Sequence, residues 1–165
     1  IDLPVDAHIP VTYIASERLR LEAYRKFAEA TDDEALRQVL EELRDRYGDI
    51  PEEVQRLVVV ARLRMVCRDL DVTEVIQTGS KISFSPITLA DSGQVRLKRL
   101  FPAATYRATP KTVLVPVPKE GSGMRAVALR DLDLVQWCAN VLTDLAGVPR
   151  RDVTAAAGHT EPVTR

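Results

Sequence analysis

Between Ser16 and Leu70 the apolar residues recur at every third or fourth position, and from Val72 onward that rhythm gives way to alternation in twos. A block of helical period followed by a block of strand period, with one more helix at the end, segregates helices from strands, which is the pattern of an α+β fold. Ser16 offers a helix N-cap with Glu17 in the first turn, and Leu19, Tyr24, Phe27 and Ala28 carry that helix to about Ala30. Thr31 and Glu34 fit a capping box for a second helix. Its apolar stripe is Leu36, Val39, Leu40, Leu43 and Tyr47, and Gly48 stands where a residue of positive φ ends such a helix. A third helix opens at Pro51 and is apolar nearly all round (Val54, Leu57, Val58, Val60, Ala61, Leu63, Met65, Val66 and Leu70), so it is expected to be covered on several sides.

Before the helices, Ile1 to Ile14 alternates and contains Pro4 and Pro10, which predicts extended structure. After them, Val72, Val75 and Ile76 face Ile82 and Phe84 across Thr78-Gly79-Ser80-Lys81, the signature of a β-hairpin. Val95 and Leu97, alternating with Gln94, Arg96 and Lys98, read as a half-exposed strand, and Thr112 to Val117 as an edge strand or strand end. Leu129 to Leu145 describes a last long helix, closed by Gly147 and Pro149. The expected architecture is one α+β domain over residues 1–148. Three helices occupy about 16–70, antiparallel strands about 72–118 and the last helix about 126–146, followed by a disordered tail over 149–165.

The 165 residues carry 23 Lys and Arg against 24 Asp and Glu, and a net charge of −1 argues against a protein whose main work is gripping a phosphate backbone. Two cysteines, Cys67 and Cys138, are too few for a disulfide framework or a zinc site and lie in apolar helices, where packing is their ordinary role. His8 sits in an extended segment with no Ser or Cys nucleophile beside it, and His159 lies in the tail. Gly121-Ser122-Gly123 comes nearest to a phosphate loop but lacks the following helix signature. No catalytic constellation, cofactor site or metal site emerges. The longest apolar run, Leu57 to Ala61, is far too short to cross a bilayer. The start, Ile1-Asp2-Leu3-Pro4, has no initiator Met and no signal-peptide core, so the chain reads as a piece of a larger or processed cytoplasmic polypeptide.

Charge is distributed unevenly. From Asp32 to Glu53 nine acids stand against three arginines, and from Asp91 to Arg130 eight basic residues stand against two acids. Most of this is a solvated face. Glu42, Asp45 and Arg46, however, stand at i, i+3 and i+4, so a helix groups them into one mixed-charge patch just before Gly48. A partner's Arg fork fits Glu42 and Asp45 taken together, which makes the patch a candidate protein contact. Arg96, Lys98 and Arg99, with Phe101 and Tyr106 nearby, give the alternative of a basic strand face for nucleic acid.

Ile1-Asp2-Leu3-Pro4-Val5-Asp6-Ala7, Ile9-Pro10 and Tyr13-Ile14, followed by Arg20-Leu21, Tyr24-Arg25, Glu42-Leu43, Asp45-Arg46-Tyr47-Gly48 and Pro51, resemble the C-terminal domain of the bacterial transcription-repair coupling factor (Mfd) family. The match is strong over roughly the first 75 residues; beyond them only order and length agree. The resemblance implies a non-catalytic regulatory domain of an ATP-dependent DNA translocase, with ATP and Mg confined to motor domains outside this fragment. It further implies that the domain docks on an N-terminal UvrB-like module of the same protein and masks the UvrA-binding surface. Engagement of stalled RNA polymerase on double-stranded DNA would release it. The family's masking contact falls on Glu42, Asp45 and Arg46.

Overall fold

The structure is a computed structural model and describes residues 1–156. It contains five α-helices and two antiparallel sheets, an α+β arrangement as the change of period requires. The chain divides into two compact units, one of Asp6–Met65 with the segment from Asp152, the other of Ile1–Val5 with Val66–Arg151. One boundary falls inside a continuous helix, where hydrophobic periodicity carries no mark of it.

The first unit is built on a helical hairpin. Helix α1 (Glu17–Glu29) starts at Ser16, whose hydroxyl accepts from the Leu19 amide at 3.4 Å. Helix α2 (Asp33–Tyr47) is capped by Asp32, which accepts from the Ala35 amide at 2.8 Å. The capping box on Thr31 therefore does not form: the carboxylate one position later takes the cap, as an equally good acceptor closer to the first turn. Gly48 ends α2 with φ +89°, a conformation strained for any side chain. Helix α3 (Glu52–Asp69) follows, with the Pro51 carbonyl accepting from the Val54 and Gln55 amides. Phe27, Leu36, Leu40, Leu43, Val54, Val58 and Ala61 form the core with Ile9 and Ile14 of the extended entry segment. That segment is fastened by the Ile9 amide donating to the Tyr24 hydroxyl at 2.7 Å, and by Arg20 donating to the carbonyls of Ile14 and Ala15 at 2.9 Å.

The second unit holds the four-stranded sheet, ordered β1-β2-β4-β3, from β1 (Glu74–Thr78), β2 (Lys81–Ser85), β3 (Thr105–Arg107) and β4 (Thr112–Pro116). The β1–β2 hairpin turns at Gly79 and Ser80 as its sequence requires. Val75, Ile82, Phe84, Val113 and Val115 are buried, and Asp2 bridges to Ile76 at the β1 edge. Helix α5 (Asp131–Ala146) buries Leu134, Val135, Cys138, Val141 and Leu142, and Trp137 lies 6.5 Å from the Phe84 ring. Gly121-Ser122-Gly123 is the tip of a small hairpin, β5 (Lys119–Glu120) and β6 (Val127–Ala128), and leads only into a three-residue turn.

Residues expected as a strand around Val95 form helix α4 (Asp91–Leu100). Alternation over five residues is too short to fix a period, and here it was coincidental. Leu97 is 1% exposed whereas Val95, two positions away, is 69% exposed, so the two do not share a buried face. Asp91 in the first turn and Lys98 and Arg99 in the last complement the helix dipole. The tail also differs from expectation over 149–156: Val153 is buried, and its segment belongs to the helical unit. His159 lies outside the described residues.

The helical assignment of α4 sets a mutational contrast. Val95→Lys is expected to change stability by less than about 0.5 kcal/mol, as exposed substitutions do, while Leu97→Ala costs roughly 2–5 kcal/mol. Urea denaturation measures both, and equal large losses would restore the strand.

Candidate functional site

Helix α2 delivers Glu42, Asp45 and Arg46 to its final turns, as their spacing dictates. What spacing could not supply is Lys26, in the last turn of α1. Its ammonium donates to both Glu42 oxygens at 2.7 Å, while Arg46 Nη1 donates to Glu42 Oε1 at 3.3 Å. Lys26 lies 3.8 Å from Glu22, and Glu22 lies 3.7 Å from Arg18. Charges of alternating sign thus run from Arg18 through Glu22, Lys26 and Glu42 to Arg46 across the α1–α2 surface. A shallow depression lies beneath, floored by Leu19, Ala23, Val39 and Leu43.

The patch is anchored from below. The Arg46 guanidinium sits 5.4 Å from the centre of the Tyr47 ring, and Tyr47 meets Tyr13 edge-on at 5.7 Å. The single O–H of Tyr13 is shared between the carbonyls of Leu43 at 3.1 Å and Gly48 at 3.0 Å, covering the open end of α2. The charged heads remain in water: Glu42 is half-buried, Asp45 and Arg46 are exposed, and Asp45 forms no ion pair among the described residues. Exposed pairs of this kind contribute about 0–1 kcal/mol each, so the network orients side chains more than it stabilises the fold.

This arrangement modifies the expected chemistry. Glu42 is not an empty acceptor awaiting an incoming Arg fork, because Lys26 already engages both of its oxygens. An approaching cation can add to the remaining lone pairs, displace Lys26, or turn to Asp45. The Lys26 hydrogen bond holds the Glu42 carboxyl below the usual carboxylate range, with Arg46 lowering it further and partial burial opposing. Helical-hairpin geometry is the one signal that pointed to Lys26: a connection of only Ala30, Thr31 and Asp32 brings the last turns of α1 alongside α2.

The basic trio is dispersed. Arg96, Lys98 and Arg99 lie on α4 and not on a strand, because the local period is helical. Arg96 Nη1 donates to the Leu145 carbonyl at 3.4 Å and crowds Gly147, where a side-chain Cβ would come within 2.6 Å of it. Lys98 donates to the Ala104 carbonyl at 3.0 Å. Two of the three cations therefore each donate to backbone of a neighbouring segment; Arg96 is half-buried, while Lys98 and Arg99 are exposed.

The other reactive side chains are placed as packing or surface groups. Cys67 and Cys138 are buried without a disulfide, and burial pushes the Cys138 thiol up. His8 is exposed and pairs with Asp6 at 2.7 Å. Among the described residues no three His, Cys, Asp or Glu side chains are grouped to hold a metal ion, and no helix is long and apolar enough to cross a membrane.

Fold and site together define an α+β domain that displays a mixed-charge face on a helical hairpin. The TRCF domain model matches residues 3–95, and the chain belongs to that family. It is 53% identical over 154 residues to the transcription-repair-coupling factors of Mycobacterium bovis and Mycobacterium tuberculosis, covering 93% of this chain and 12% of each relative. With the Myxococcus xanthus transcription-repair-coupling factor it shares 30% identity over 149 residues, 88% of this chain and again 12% of the relative. The chain thus spans about an eighth of the length of these relatives. The fold is similar to that of a crystal structure of the C-terminal domain of transcription-repair coupling factor. The TM-score is 0.58 at 20% identity, over 87% of this chain and 91% of the other.

The lowered Glu42 pKa has a defined linkage. The folded value lies below the unfolded one, so the stabilisation is fully present above the ordinary carboxylate pKa of about 4.3 and is lost as pH falls through the lowered value. Glu42→Gln is expected to shrink the loss of stability between pH 7 and pH 3, measured by urea denaturation at each pH. An undiminished loss would mean that the Lys26 pair does not form.

Proposed function

We propose that this chain is a non-catalytic regulatory domain of a transcription-repair coupling factor, acting by reversible docking of its α2 face. The parent is an ATP-dependent DNA translocase that engages stalled RNA polymerase on double-stranded DNA in the cytoplasm and recruits UvrA. Docking of Glu42, Asp45 and Arg46 on the parent's N-terminal UvrB-like module masks the UvrA-binding surface and restrains the motor. Engagement of the polymerase releases it.

The observation that carries this reading is the Lys26–Glu42–Arg46 network: preorganised by its own cross-helix bonds yet half-exposed, on a face that the helical unit leaves uncovered. Preorganised polar groups lose little side-chain freedom on binding, which lowers the cost of association. A polar, wet interface between domains also separates readily, as a switch requires, whereas a large apolar one would not. Contacts made only in the closed state supply the differential affinity that biases the equilibrium. The α4 basic residues give less support to a nucleic-acid module, since they lie on a helix without the strand face of interleaved aromatics, and Arg96 and Lys98 each donate to a backbone carbonyl.

Glu42→Ala combined with Asp45→Ala is expected to leave folding intact, because both carboxylates belong to surface groups of small energetic weight. In the full-length parent the pair of substitutions should raise UvrA binding and ATPase turnover in the absence of polymerase, by several-fold or more. Pull-down and phosphate-release assays read the two effects. A folded double variant with wild-type levels of both would contradict the docking role.

A further inference from the structure

The described C-terminal segment behaves as a bound peptide. Val153 is 1% exposed, although its neighbours Asp152 and Ala155 lie at the surface. Arg62 is one of four arginines on α3, but unlike the exposed Arg64 and Arg68 it is only 9% exposed, and it is directed at this segment. Its Nη1 donates to the Val153 carbonyl at 3.2 Å and to the Ala155 carbonyl, while its Nε donates to Asp33 Oδ1 at 2.7 Å. The segment is pre-shaped by its own turn: Asp152 Oδ1 accepts from the Thr154 amide at 2.9 Å and from the Thr154 hydroxyl at 2.8 Å. These bonds hold the Asp152 carboxyl below its usual range, with Arg62 contributing more weakly.

Three properties separate this from ordinary tail packing. A guanidinium that binds two carbonyls, one on each side of a single residue, reads main chain and therefore accepts any segment of that path. A single buried β-branched side chain supplies the side-chain selection. With the segment in place the guanidinium is shielded from water and its Nη1 is satisfied by main-chain carbonyls, so a competing segment must offer the same acceptors to replace it. Asp33 takes the Nε of the guanidinium and leaves Nη1 to the occupant.

We propose that the helical unit is a peptide-binding module whose site is occupied in cis by residues 152–155, with Arg62 as the main-chain clamp and Val153 as the anchor. This assignment is independent of the α2 docking face. The tether gives the cis segment an effective concentration in the millimolar range, so it excludes a competing segment until that competitor is locally concentrated or the anchor is lost.

The test uses the whole chain and a fluorescent peptide of residues 150–156. Val153→Asp alters the occupant and leaves the site itself untouched. Fluorescence anisotropy is expected to show the peptide binding this variant at least about tenfold more tightly than the wild-type chain, whose site is filled. Adding Arg62→Lys, which keeps the charge but removes the fork, should abolish that gain. The helical circular-dichroism signal of Val153→Asp should match wild type, since an occupant can leave without unfolding its site. Binding no tighter than wild type in a folded Val153→Asp variant would overturn the proposal. So would collapse of its helical signal, which would make Val153 a core residue, or binding that survives Arg62→Lys undiminished.

Discussion

A helix with apolar side chains round most of its circumference must be covered on several sides, and α3 is such a helix, with Gln55, Arg64 and Arg68 left exposed. Val54, Val58, Val59, Ala61, Leu63, Val66 and Cys67 are all buried, although they point in different directions around its axis. Burying each of these side chains is favourable by roughly 1.5–3 kcal/mol for the larger ones, so the rest of the chain is organised by the need to cover them. In the helical unit Phe27, Leu36, Leu40 and Leu43 of the α1–α2 hairpin join Val54, Val58 and Ala61 in one cluster. The hairpin therefore turns its apolar stripe inward and has no choice but to present its charged stripe outward.

The functional reading rests on what that outward stripe does with its charges. Left as independent long side chains, Lys26, Glu42 and Arg46 would sample many rotamers, and ordering them at an interface would oppose binding. Cross-helix bonds hold them in place beforehand. The same bonds keep the surface from being sticky, because each charge has a local partner when no module is docked. A face of this kind suits contacts that must be made and broken, and the transcription-repair-coupling factors to which the chain is similar are about eight times its length.

The local order of the helices was legible from single residues: Ser16 caps α1, Gly48 ends α2 at positive φ, and Gly147 ends α5 in the left-handed region. The grouping of Glu42 with Arg46 followed from helical spacing alone. Features that depend on tertiary pairing were not legible. Lys26 lies 16 positions from Glu42, and Arg62 lies 91 from Val153, so no local pattern links either pair. Asp32 outcompeted Thr31 for the α2 cap because adjacent residues offer equivalent acceptors, and only backbone geometry decides between them. The α4 segment misled because five alternating residues also satisfy a helix in which only Leu97 is buried. The described tail misled because one buried valine among small polar residues leaves no periodic trace.

The most direct measurement is an amide chemical-shift map of the isotopically labelled chain, titrated with the parent's separately produced N-terminal module. The account predicts perturbations concentrated on residues 42–47 and on the facing turn of α1 around Glu22 and Lys26, fading as salt is raised. Perturbations confined to α4 and the sheet, with the α2 face unmoved, would contradict it.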